Sequence, residues 1–229
     1  MKNLILLHGA LGHSSNFEPY ESFLSQHFNV HKVLFHGHGG SEIPAAGLSI
    51  ELYVEQLQQY LEQQELNDIY VFGYSMGGYV AMCHALQYPG KITSILTLAT
   101  KLNWTIEGAA KEVKMLEPEL IESKVPRYAA QLMTLHGENH WKQLLPAIAT
   151  LMTRLAVKPL LTQTQYESLN LPVQMMVGDK DAMVSIDETL FATKNIPNAN
   201  FAVLPDTKHP IEMARPELLI GLMKDFWKI

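Results

Sequence analysis

The sequence holds one cysteine, Cys83, among 229 residues, so no disulfide can form within the chain. That composition is compatible with a reducing compartment, and a cytoplasmic location is the expectation. Cys83 lies on an apolar helical stretch, which points to a structural thiol rather than a reactive one. Long apolar runs are also missing: none approaches the ~20 residues that span a bilayer, and no membrane association is expected. The apolar run nearest Met1 covers residues 4–7 and is broken by His8-Gly9, with no small-residue cleavage site after it. It reads as a strand rather than a signal peptide. Positive charge is scarce, with 17 Lys and Arg against 23 Asp and Glu and a formal net charge of −6. A nucleic-acid binder would carry a basic face, so that class of partner is not expected. His13, His31, His36 and His38 lack partners at ligand spacing, and neither a metal nor another cofactor is expected. Repeats, low-complexity tracts and Pro/Gly/Ser-rich linkers are absent as well, which favours a single domain.

What the chain does have is an ordinary globular composition, 47% hydrophobic and 17% charged, enough to bury a sizeable core. Strand-like runs alternate with helix-like ones. Strands are predicted at 4–7, 30–35, 69–72, 92–98, 173–177 and 201–204. Helices are predicted at 50–64 with Ser49 as N-cap, at 79–88 ending at Pro89-Gly90, at 186–195 and at 216–227. This alternation predicts an α/β fold, a mostly parallel sheet of about six strands with helices on both faces. Between about residues 99 and 164 the alternation stops, and helices are predicted at 107–116, 118–123, 126–136 and 141–155. The expected organisation is a core of residues 1–99 and 165–229 with a helical insertion at 100–164, one domain overall.

One motif carries chemistry. Gly73-Tyr74-Ser75-Met76-Gly77 matches G-x-S-x-G, between an apolar strand and an apolar helix, the context that pattern requires. Such a turn lifts a serine hydroxyl clear of the sheet and sets it at a helix N-terminus, where free N–H groups favour developing negative charge. A nucleophilic serine needs a base and an acid that orients the base, in the chain order Ser, Asp or Glu, His. His209 is the only histidine after His140 and follows the last predicted strand. Asp179, Asp181 and Asp206 compete as its partner. The backbone N–H of Met76, the residue after Ser75, is one expected oxyanion donor.

The chain resembles the α/β-hydrolase family along nearly its whole length. The matching segments, in the family's order, are Leu7-His8-Gly9-Ala10, Gly37-His38-Gly39-x-Ser41, Gly73 to Gly78, Gly178-Asp179-Lys180-Asp181-Ala182-Met183-Val184 and His209-Pro210. Pro126-Arg127-Tyr128-Ala129, Leu135-His136-Gly137 and His209-Pro210-Ile211-Glu212 look like a branch of small capped serine hydrolases. The resemblance implies that Asp181, framed as G-x-x-D-x-x-V, is the orienting acid. It also implies that Ala10 supplies the second oxyanion N–H and that residues 100–164 form a cap over the site. His8 is expected to be structural. Two departures stand out: the family's two N-terminal edge strands are missing, and Phe35-His36 precedes Gly37 where relatives carry Asp and an aromatic residue or Pro.

Candidates for lining the substrate site from the cap are Trp104, Met133, His136, His140, Trp141 and Met152. An apolar, Met-containing cap suggests a small or medium apolar acyl group and a small-molecule substrate. The leading expectation is hydrolysis of a carboxylic ester or thioester through an acyl-Ser75 intermediate. The same three residues could serve C–C bond hydrolysis or a lyase-type proton transfer, and a non-enzymatic ligand receptor on this fold is a third reading. Dehalogenase and epoxide hydrolase chemistry would need Asp in place of Ser75. The chain is expected to be a monomer or a homodimer.

Overall fold

The computed structural model describes residues 1–229. The first half runs β1 (Lys2–Leu7), a short 3-10 turn (Ser14–Phe17), α1 (Glu18–Leu24), β2 (Phe28–Val33), α2 (Ile50–Gln63), β3 (Ile69–Tyr74), α3 (Met76–Gln87) and β4 (Ile92–Leu98). Four helices follow, α4 (Ile106–Lys114), α5 (Pro118–Lys124), α6 (Pro126–His136) and α7 (His140–Val157), and then α8 (Gln163–Glu167). The chain closes with β5 (Val173–Gly178), α9 (Ile186–Asn195), β6 (Ala199–Leu204) and α10 (Pro216–Trp227). All six strands are parallel, in the order β2-β1-β3-β4-β5-β6.

Strand residues alternate between two apolar cores, which is why β1 reads as an unbroken apolar run. Leu4 and Leu6 face one core with Tyr20 and Leu24 of α1 and Leu219, Met223 and Trp227 of α10. Ile5 and Leu7 face the other with residues of α2, α3, α7 and α9. Side chains of α5, α6 and α7, such as Ile121, Leu132 and Leu144, join this second core. The helical segment therefore packs as part of the body of the molecule. Cys83 is half-buried in α3, and burial pushes its thiol pKa up, which keeps it protonated and inert. No helix is long and apolar enough to cross a membrane.

The order of strands positions the site. From β1 the chain steps outward to β2, then crosses back to β3 on the other side of β1. The crevice beyond the carboxyl ends of β1 and β3 is thus a topological switch point, where open α/β sheets bind ligands. No strand lies beyond β2, which leaves it as an edge.

Several boundaries differ from the sequence-based expectation, each for a local reason. β2 spans Phe28–Val33, not 30–35, because the Phe35 N–H leaves the ladder to donate to His8 Nε2 at 3.1 Å. The helix expected at 79–88 begins at Met76, directly after Ser75, despite two glycines in its first turn. α1 and the turn before it have no counterpart among the predicted elements: α1 has seven residues with a proline in its first turn, and the turn is capped by the imidazole of His13 rather than a hydroxyl or amide. α8 is likewise additional and spans the expected division at residue 164.

The loops after β1 and β2 pack on buried imidazoles. His8 Nδ1–H donates to the Gly9 carbonyl at 2.8 Å, Nε2 accepts from Phe35, and the ring packs against that of His38 with centroids 4.7 Å apart and planes inclined at 58°. Burial pushes the His8 pKa down from 6.5 to about 4 and holds that of His38 well below its ordinary value. The unfolded chain therefore takes up protons before the folded one does as pH falls. Stability present above pH 6.5 should decline between 6.5 and about 4, with His8 alone contributing roughly 3 kcal/mol to the loss. Thermal melts followed by circular dichroism at pH 7, 5.5 and 4.5 check this; an unchanged Tm across the series would contradict it.

Candidate active site

Ser75 stands on the turn between β3 and α3 with φ 51° and ψ −117°, a conformation that costs a non-glycine residue about 1–3 kcal/mol. Neighbouring backbone holds it there. The Ser75 N–H donates to the Leu98 carbonyl at 2.8 Å, and Thr100 Oγ1 donates to the Ser75 carbonyl at 3.1 Å. The surrounding glycines are needed for approach. A Cβ on Gly77 would fall 2.1 Å from the Leu7 carbonyl oxygen, and one on Gly78 2.1 Å from Thr100 Oγ1. These contacts press the elbow against the ends of β1 and β4.

Ser75 Oγ lies 3.2 Å from His209 Nε2, and His209 Nδ1 lies 2.9 Å from Asp181 Oδ2. The Asp181 side chain is fully buried, and its other oxygen accepts the N–H groups of Met183 and Val184, each at 2.8 Å. A carboxylate accepts only, so Nδ1 of His209 carries the proton and Nε2 is free to accept from the serine hydroxyl. Tyr74 Oη donates to the His209 carbonyl at 3.1 Å and fixes the loop that carries the ring. The other two aspartates are engaged elsewhere. Asp179 Oδ1 accepts the Thr207 N–H at 3.1 Å, and Asp206, at φ 56°, pairs with Lys180 at the surface.

Ala10 and Met76 both line the cavity in front of Ser75. The Ala10 N–H makes no hydrogen bond within the protein. The Met76 N–H opens α3 and has no helical acceptor. Gly9 packs on Ser75 closely enough that a Cβ there would lie 3.1 Å from the serine Cβ. Two residues that line the cavity beside Ser75 thus carry unsatisfied N–H groups. His8 is a buried, neutral support beneath this loop. No group of three or more His, Cys, Asp or Glu side chains is placed to hold a metal ion.

The cavity measures about 470 Å³ and is mostly apolar. Of the six cap residues proposed from sequence, Trp104 and Met152 line it; Met133, His136, His140 and Trp141 do not. Rotation about the helix axes explains the difference. On α6 the wall is Tyr128, Gln131 and Leu135, one face at helical spacing, which turns Met133 to solvent and His136 inward to the core. On α7 the wall is Ile148, Leu151, Met152 and Leu155, while Trp141 is buried a turn or more away. His140 Nε2 donates instead to the Gly37 carbonyl at 2.9 Å. The i, i+3, i+4, i+7 pattern on α7 was visible in the sequence; which stripe faced the serine was not.

Two charged residues also line the cavity. Lys101, after β4, donates to the Met183 carbonyl at 2.9 Å and stands 5.7 Å from the Trp104 ring. Glu212 accepts from Asn16 Nδ2 at 2.6 Å on the β1 side and is exposed at the rim. Tyr128 shares the rim, and burial together with the Glu212 charge pushes its phenol up to about 12.

Comparisons with known proteins agree with this architecture. The pattern of the family described as serine aminopeptidase, S33, matches residues 1–213. Monoacylglycerol lipase ABHD6 of Bos taurus is 23% identical over 251 aligned positions, spanning 98% of this chain and 74% of the lipase. The 2-hydroxy-6-oxo-6-phenylhexa-2,4-dienoate hydrolase of Rhodococcus sp. strain RHA1 superposes with TM-score 0.83 at 19% identity, covering 100% of this chain and 91% of that one. A thermophilic esterase from Thermogutta terrifontis gives TM-score 0.79 at 22% identity, covering 100% and 90%.

The close approach of Gly77 to Leu7 yields a stability prediction. Gly77→Ala should cost at least about 2 kcal/mol, because the added methyl meets backbone that cannot rotate away. Gly221→Ala, where an added Cβ meets nothing within 4 Å, should be neutral or stabilising. Urea denaturation of the two variants checks both; equal midpoints would contradict the packing argument.

Proposed function

The chain belongs to the serine aminopeptidase S33 family of α/β-hydrolases, and on that premise we propose that it hydrolyses small or medium, largely apolar carboxylic esters or thioesters through an acyl-serine intermediate. The observation that carries this reading is the unbroken hydrogen-bonded series Ser75–His209–Asp181 at the floor of an apolar cavity. Ser75 Oγ attacks the substrate carbonyl while His209 Nε2 takes its proton. Asp181 holds the imidazole in the required tautomer and stabilises the imidazolium. The N–H groups of Ala10 and Met76 donate to the oxyanion of the tetrahedral intermediate. Collapse returns the proton from His209 to the leaving alcohol or thiol, and the acyl group stays on Ser75. Water, deprotonated by His209, then attacks the acyl-enzyme and releases the carboxylic acid.

Helices α4 to α7 act in this reading as the cap, with Trp104, Leu151, Met152 and Leu155 forming an apolar acyl-binding wall. A cavity of about 470 Å³ suits a small or medium ligand and closes on one rather than tracking a polymer. The names of its relatives, a monoacylglycerol lipase and an esterase among them, agree with ester chemistry.

A fluorophosphonate probe should label Ser75, located by mass spectrometry of the labelled peptide, and p-nitrophenyl butyrate should be turned over. Ser75→Ala and His209→Ala should each lower kcat/KM by at least about 1,000-fold, and Asp181→Asn by at least about 100-fold. Asp179→Asn should stay within about threefold of the wild type, because its carboxylate only accepts a backbone N–H away from the imidazole. A crippled Asp179→Asn with a mild Asp181→Asn would reverse the assignment of the acid. Labelling without ester turnover would instead favour C–C bond hydrolysis, a lyase-type proton transfer or a non-enzymatic receptor on the same fold.

A further inference from the structure

We propose that His136, at the end of α6, is a positioning residue that holds the turn carrying the Ala10 N–H, so that the helical segment and the oxyanion donor form one mechanical unit. The inference rests on the assignment of Ala10 as an oxyanion donor.

Residues 9–12 form a tight turn closed by a hydrogen bond from the Gly12 N–H to the Gly9 carbonyl at 3.0 Å. Its third residue is Leu11, with φ 56°. A type II turn needs positive φ at that position and ordinarily has glycine there. Leucine takes it only at a cost of about 1–3 kcal/mol, so something outside the turn must hold it.

Two contacts do. The Leu11 side chain is buried, and its carbonyl accepts His136 Nε2–H at 3.0 Å. His136 Nδ1 accepts the Gly39 N–H at 3.0 Å, from the loop after β2. With one ring nitrogen donating and the other accepting, the imidazole is neutral and cannot rotate. Its burial, with 1% of its surface exposed, keeps it so. One side chain thus bolts α6, the loop after β1 and the loop after β2 together. The Ala10 N–H has no internal partner of its own. If Leu11 relaxes to negative φ, the Ala10–Leu11 peptide reverses, next to the peptide that carries the donor. A donor displaced by about an ångström no longer meets the oxyanion.

His140 gives the comparison. It ties the same helical segment to the core through the Gly37 carbonyl at 2.9 Å but does not touch the 9–12 turn. Steady-state kinetics on p-nitrophenyl butyrate, well below each variant's Tm, should show His136→Ala lowering kcat about 10- to 100-fold with KM changed less than about threefold. His136→Gln, whose amide nitrogen reaches the Nε2 position, should recover kcat to within about fivefold of wild type. His136→Asn supplies only the Nδ1 position and should resemble alanine. His140→Ala should stay within about threefold in kcat. An unchanged kcat in His136→Ala, a loss confined to KM, or an equal loss in His140→Ala would overturn the proposal. If the alanine variant does not fold, equal kcat in the Gln and Asn variants overturns it. Failure of the ester-hydrolase reading looks different: the wild type itself would then neither turn over the ester nor take the fluorophosphonate.

Discussion

Backbone meets backbone where the first turn of α3 passes the end of β1. Between Gly77 and the carbonyl of Leu7 there is no room for a methyl group. That contact sets the distance between two loops that leave the sheet at its switch point, one ending in Ser75 and the other running through Gly9 and Ala10. A wider gap would separate the serine from the free N–H of Ala10. The strain at Ser75 follows from the same constraint, since the chain must turn sharply to enter a helix so close to the neighbouring strand. Bonds from Leu98 and Thr100 on the β4 side keep that turn from relaxing.

Histidine chemistry in this protein is sorted by partners. The chain has ten histidines, and those beneath the site serve as neutral spacers. His8, His38 and His136 sit in apolar surroundings and bond to backbone groups, and burial lowers the pKa of each. His209 alone hydrogen-bonds to a carboxylate. Asp181 in turn accepts three hydrogen bonds, two N–H groups on one oxygen and the imidazole on the other. A fully buried carboxylate held by three hydrogen bonds is fixed in place and orients the ring that bonds to it.

Much of the fold was legible because parallel strands buried on both faces leave uninterrupted apolar runs. Residues 92–98, 186–195 and 216–227 have the bounds the pattern suggested. Elements whose ends depend on a distant partner were less so. β2 stops early because His8 takes the Phe35 N–H, a bond between residues far apart in sequence. The residues that meet around Ser75 come from motifs of fixed spacing, so their identities could be read along the chain. The cavity wall could not be read that way. Met133 and His136 look as suitable as Gln131 and Leu135 until the rotation of α6 is known, and that rotation is set by how Ala129 and Leu132 pack below it.

Glu212 has a consequence for the far end of a catalytic cycle. Of the residues that line the cavity, Tyr128, Gln131, Pro210, Glu212 and Met213 are exposed and mark its rim. Hydrolysis of a neutral ester ends with a carboxylate, whatever the acyl chain. That newly made anion has to leave past a fixed carboxylate, on a molecule of net charge −6. On the proposed ester chemistry, the product meets two fixed charges of opposite sign, Lys101 in the wall and Glu212 at the rim. Salt screens both charges, so release of the acid depends on ionic strength where entry of a neutral ester does not.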